Sequence, residues 1–265
     1  VYYCLSGFIR NHLAGRMKRA FPILAVLTAL LLAYAFYEAL WVAPMERTMG
    51  DVQRIFYYHV PSAWTAFLLF FANLVASVVY LIRKSTRADA VAVVSAEVGV
   101  VFCTVVLVTG PIWARPVWGI WWTWDIRLTT TLVLWLIYVS YLVLRRFSDS
   151  SQTPKLAAVL AIFGALDVPL VYFSIWFFRT QHPQPVIGGG GSIDPRMLHV
   201  LLINWLAFSC FAFLVCWWRY QLELLQRDLE EAQALEALLG DEGLPATSAR
   251  ARSALKKAPS PPGTV

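Results

Sequence analysis

AVAVVSAEVGVVFCTVVLVTGPI, residues 90–112, holds one charged side chain, Glu97, in an otherwise apolar run. A helix rises about 1.5 Å per residue, so about 20 apolar residues cross the hydrocarbon core of a bilayer. This run is long enough, and five others accompany it: Phe21 to Ala43, Ser62 to Ile82, Leu128 to Leu144, Leu156 to Phe178 and Met197 to Trp218. Hydrocarbon offers a backbone no hydrogen-bond partner, so each run is expected to be a helix. The expected fold is an all-α membrane protein with six transmembrane helices. The fourth run is the shortest and is expected to borrow a turn from the residues before it. The first is too long for a signal-peptide core, so it is read as retained.

Composition points the same way. Of 265 residues, 59% are hydrophobic and 14% charged, against about 25% charged in soluble domains. The net charge of +6 would suit nucleic acid if the basic residues formed one soluble patch. They are divided among short loops instead, so the expected surroundings are membrane lipid and no nucleic acid partner is expected. Cys4, Cys103, Cys210 and Cys216 form no C-x-x-C pair. A disulfide framework, a thiol redox motif and a C-x-x-C-H haem attachment site are therefore not indicated, and the cysteines read as small core residues.

The basic residues orient the spans. Lys18, Lys84, Lys155, Lys256 and Lys257, with most arginines, fall in the N-terminus, the 83–89 and 145–155 loops and the tail; Arg47, Arg54, Arg115, Arg127, Arg179 and Arg196 fall on the opposite side. The positive-inside rule makes the first side cytoplasmic, with both termini there. Residues 1–20 form a cytoplasmic N-terminus, and MKRAFPILAV at Met17 resembles a natural start, so 1–16 are read as a start-site artefact. The six-span domain is expected over 21–218. RYQLELLQRDLEEAQALEALLG, 219–240, has leucine at helical spacing and is expected to be a cytoplasmic amphipathic helix. A Pro-, Ser- and Ala-rich tail, 241–265, is expected to be disordered.

Three segments lie on the outer side. In the first, Val52, Ile55, Phe56 and His59 share one helix face by their i, i+3, i+4, i+7 spacing. A short surface helix there would carry His59 just above the second span, with Pro61 in that span's first turn. The second is PVWGIWWTWDIRLT, 116–129. If helical, it groups Trp118, Trp121, Trp122 and Asp125; if extended, Ile120, Trp122 and Trp124. The third carries His182 and then four glycines, 188–191. An interfacial aromatic belt accounts for Trp41, Trp64 or Trp176, but not for four tryptophans in seven residues.

His59 and His182 are the histidines expected outside the membrane, since His12 is cytoplasmic and His199 falls at the end of the sixth span. Two imidazoles beside a broad apolar wall suit haem, whose iron takes axial ligands and whose faces need apolar cover. The haem propionates would pair with outer arginines such as Arg54 and Arg127. Such a site requires the second and third loops to meet. Within the spans, Asp167 precedes Pro169 and is expected to face the bundle and satisfy backbone freed by a kink.

The motif W-G-x-W-W-x-W-D-x-R-L-T, Trp118 to Thr129, resembles the WWD domain of the haem-handling proteins of cytochrome c biogenesis. Six spans, YYHVPSAW (57–64) before the second, and a lone His followed by SIDP before the sixth make the chain similar to the CcmC (haem exporter protein C) family over roughly residues 17–218. The resemblance implies a multi-pass protein of the bacterial inner membrane that binds haem b on the outer face and passes it to the haem chaperone CcmE. It implies association with the ABC transporter subunits CcmA and CcmB and the single-span protein CcmD, and no catalysis by this chain, the ATPase being separate. It makes His59 and His182 the axial ligands and Trp118, Trp121, Trp122, Trp124 and Asp125 the platform. The chain departs from the family pattern at Phe177, where a second Trp is usual, and in the tetraglycine. Two other functions fit parts of the sequence: a haem-transporting permease subunit of an ABC exporter, which leaves the tryptophans without a role, and a b-type electron-transfer cytochrome, which needs histidine pairs inside the spans.

Overall fold

The computed structural model describes residues 2–148, 150–178, 180–182 and 193–241. Arg179, the glycine run 188–191 and the tail from 242 lie outside the described residues. The named elements among the described residues are all helical. In chain order they are α1 (Tyr2–Tyr37), ending in a π-helical turn (Glu38–Val42); a 3₁₀ turn (Asp51–Ile55) that runs into α2 (Phe56–Arg83); α3 (Thr86–Trp118); α4 (Ile126–Phe147); α5 (Thr153–Ala165); α6 (Asp167–Phe177); and α7 (Pro195–Asp241). Six stretches are long and apolar enough to cross a membrane, α5 and α6 together making the fifth. The chain is a multi-pass membrane protein, as its apolar runs predicted.

Four boundaries differ from those expectations. The surface helix and the second span are one continuous element, so Pro61 lies inside α2 and not in its first turn. Helix α3 runs through Pro111 and Pro116 and takes in Trp118 before Gly119 ends it at φ +79°, a conformation that favours glycine because it has no Cβ. The fifth span breaks at Leu166, because Pro169 has no N–H to offer the carbonyl of Ala165. Asp167 is buried beside the break, yet its Oδ2 has no hydrogen-bond partner among the described residues, so that oxygen does not satisfy the freed backbone. Finally, the expected C-terminal helix is the continuation of α7. From Gln221 the chain forms a separate compact unit; within it Leu222, Leu225 and Leu229 are exposed and Arg227 pairs with Glu223 at 2.8 Å.

The core of the membrane unit is built on close approach between helices. The rings of Phe70 on α2 and Tyr138 on α4 stack with centroids 3.9 Å apart. Gly99 on α3 and Gly164 on α5 make room for them: a Cβ on Gly99 would lie 2.7 Å from Phe70 Cε1, and one on Gly164 would lie 2.8 Å from Ile137 Cγ2 and 3.2 Å from Tyr138 Cε2. At the lysine-bearing end, Arg145 grips Asp89 through two parallel bonds of 2.7 and 2.6 Å, tying the end of α4 to the start of α3. Between α2 and α3 the turn needs only Lys84, in the left-handed region with its N–H on Tyr80 O, and Ser85, whose Oγ accepts from Ala88 N.

Candidate functional site

At the end of the membrane unit opposite those lysines, a cavity of about 400 Å³ is lined by His59, Trp113, Trp118, Trp122, Arg127 and His182, and it reaches inward to Cys103. That volume lies in the range of small-molecule and cofactor sites, about 300–1,000 Å³. A second cavity of about 1000 Å³ shares Trp113, Arg127 and His182 with it and adds Gln53 and Arg196. Glu46 lines both. Its Oε2 accepts from Met49 N at 2.6 Å and Thr48 N at 2.7 Å, and these bonds, Met49's foremost, hold its carboxyl below the usual range.

His59 is 9% exposed, one turn into α2, against α3. Its ring meets Trp113 edge-on at 5.8 Å, and its Nδ1 lies 2.9 Å from Thr109 Oγ1. The Thr109 hydroxyl is also 2.7 Å from the carbonyl of Val105. A carbonyl can only accept, so the hydroxyl proton points there and the oxygen accepts from His59 Nδ1–H. The neutral ring then carries its lone pair on Nε2, the form in which imidazole binds a metal. Gly110 leaves space beside the ring, since a Cβ there would sit 3.5 Å from His59 Cε1.

The two sequence-based alternatives for the tryptophan segment give way to a third arrangement. Trp118 closes α3, residues 122–125 are without helix, and the motif divides: Trp118 and Trp122 line the cavity, whereas Trp121 and Trp124 are 59% and 74% exposed. Trp122 and Trp124 touch edge to face at 5.8 Å. Asp125 begins α4, its Oδ1 accepting from Leu128 N at 3.0 Å, a side-chain cap of the usual type. Its Oδ2 reaches across to the third loop, where it accepts from Thr180 Oγ1 at 2.6 Å and Gln181 N at 3.2 Å. Thr180 Oγ1 in turn accepts from His182 N at 3.0 Å. The second and third loops thus meet through this carboxylate.

Of the arginines expected on the outer side, Arg127 lines both cavities, and its buried Nη1 has no hydrogen-bond partner among the described residues. Arg54 is turned elsewhere: its Nη1 donates to Ala39 O at 2.8 Å in the π-helical turn and its Nε to Asp51 Oδ1 at 3.0 Å, satisfying carbonyls that a helix end leaves open. Arg115 bonds Gly119 O, and Arg196 pairs with Asp194 at 3.0 Å. His199 is exposed on α7 and lines neither cavity. Sequence reasoning missed Thr109, Trp113 and Thr180. The first two lie four residues apart on α3, the spacing of one helix face, and that signal was available.

Compared with known proteins, the chain matches the family model described as Heme exporter protein C over residues 10–235. It is 34% identical over 222 residues to the Heme exporter protein C of Bradyrhizobium diazoefficiens, covering 83% of this chain and 84% of the relative. Against the Escherichia coli protein of that name it is 33% identical over 195 residues, 73% of this chain and 77% of the relative. A putative cytochrome c biosynthesis ccmC-like mitochondrial protein of Arabidopsis thaliana is 34% identical over 223 residues, 83% of this chain and 84% of that protein.

Proposed function

The chain belongs to the heme exporter protein C family, and from that premise we propose that it binds haem b through His59 and His182 as axial ligands and passes it to the chaperone CcmE. In this reading it is a haem-handling membrane component of cytochrome c maturation and not an enzyme. It works in the bacterial inner membrane with CcmA, CcmB and CcmD, both termini in the cytoplasm and the tryptophan loops on the outer face. One observation carries the reading. Two histidines, one near the start of α2 and one in the third loop, line one cavity together with Trp118, Trp122 and Arg127.

The wall has the chemistry the ligand needs. Trp118 and Trp122 offer apolar area worth roughly 25 cal/mol per Å² buried. Trp113 Nε1, Trp122 Nε1 and Arg127 Nη1 are buried N–H donors without acceptors among the described residues. Each such donor costs about 1–3 kcal/mol, and a ligand carrying two carboxylates supplies what they lack. The exposed Trp121 and Trp124 leave part of the motif available to a partner.

The test is the absorption spectrum of haem-loaded protein. His59→Ala and His182→Ala should each shift the Soret band and lower haem occupancy, and His199→Ala should do neither. If both His59→Ala and His182→Ala keep the wild-type band, the ligand assignment is wrong.

A further inference from the structure

We infer that Asp125 is a positioning residue for His182: its carboxylate latches the third loop to the start of α4 and so fixes the backbone that presents this ligand. The inference rests on the haem-binding reading above. It departs from the sequence-based role for Asp125 as part of a platform against the ring.

The proton count leads to it. An ionised carboxylate only accepts, with about four lone-pair sites. Oδ1 uses one site on Leu128 N, and Oδ2 takes both Thr180 Oγ1–H and Gln181 N–H. Because the hydroxyl proton of Thr180 goes to Asp125, the hydroxyl oxygen is left to accept from His182 N. The relay is therefore directional, carboxylate to hydroxyl to the amide of the ligand residue itself. No neutral acceptor of this size can take two donors on one oxygen while capping a helix with the other. The motif needs an acid at this position because three donors from two chain segments converge on it.

Asparagine separates the two jobs. Asp125→Asn keeps an oxygen for the α4 cap, where Asn is as good as Asp, but presents an NH₂ group toward Thr180 and Gln181. Thr180→Val breaks the same latch without touching α4, and Thr180→Ser restores it. Full-length protein loaded with haem should lose its low-spin six-coordinate spectrum in Asp125→Asn and Thr180→Val, as it should in His182→Ala. Haem retention should fall roughly 10- to 100-fold, the usual effect of removing a partner that orients a ligand. Thr180→Ser should look like wild type, and added imidazole should restore the low-spin spectrum in all three defective variants. Asp125→Asn combined with His182→Ala should be no worse than His182→Ala alone, since both act on one ligand. If His182→Ala loses the spectrum but Asp125→Asn and Thr180→Val keep it, the positioning role is refuted and the ligand assignment stands. If His182→Ala itself keeps it, both fall.

Discussion

A histidine that is to bind a metal must hold its proton on the other nitrogen, and for His59 the residue that arranges this is Thr109. Thr109→Val preserves the branched shape and removes the acceptor, leaving His59 Nδ1–H unpaired in a buried place. Haem retention, followed as transfer to apomyoglobin, should drop roughly tenfold or more, and Thr109→Ser should recover it. Unchanged transfer from Thr109→Val would mean that the tautomer of His59 is set by something else. Single residues were unevenly legible in the sequence. His59, His182 and Arg127 stood out because such side chains are rare beside apolar runs, and all three line the same cavity. Thr109 was passed over because it lies inside the apolar run 90–112, where a lone hydroxyl reads as an ordinary span residue, and Trp113 because it stands one residue past that run, where an interfacial tryptophan is common. Arg54 was read from its charge alone, and charge does not tell which carbonyls a guanidinium will meet.

Among elements, the contact between α2, α3, α4 and α5 depends on two missing side chains. Gly99→Ala would bring a methyl group to 2.7 Å from Phe70 Cε1, and the ring cannot retreat because Tyr138 stacks on its face. Overpacking of this kind costs about 1–3 kcal/mol, so the thermal transition of the detergent-solubilised protein should fall by several degrees. A compensating Phe70→Leu in the same chain should recover part of it. The six spans themselves were legible because apolar length has few other uses. Their ends were not. The third apolar run stops at Ile112, yet a helix tolerates a missing N–H when packing and a terminal glycine hold the rest, and α3 therefore runs through Pro116 and carries Trp118 as its last residue. The kink expected from Pro169 was legible in the fifth span, and it is a full break at Leu166, three residues before the proline.

For the whole molecule, the meeting of the second and third loops was beyond sequence reasoning, since it depends on how α4 and α6 pack and on which donors Asp125 finds across the gap. The two-residue turn between α2 and α3 has a consequence in time. Closing so short a connection costs little chain entropy, and neighbouring helices joined this way assemble from local contacts, which form fast. His59, Thr109 and Trp113 all lie on that hairpin, so one half of the site is expected to assemble before α4 leaves the ribosome, whereas His182 follows α6 in the chain. Nascent chains halted at the point where the whole of α3 has just cleared the ribosome should already protect the Lys84–Ser85 turn from added protease in membranes. Halted chains that protect it only once α6 has emerged would reverse the order. On the proposed ligand assignment, a cavity assembled in two instalments has His59 in place on its wall before His182 joins it, so haem supplied during synthesis would meet His59 first.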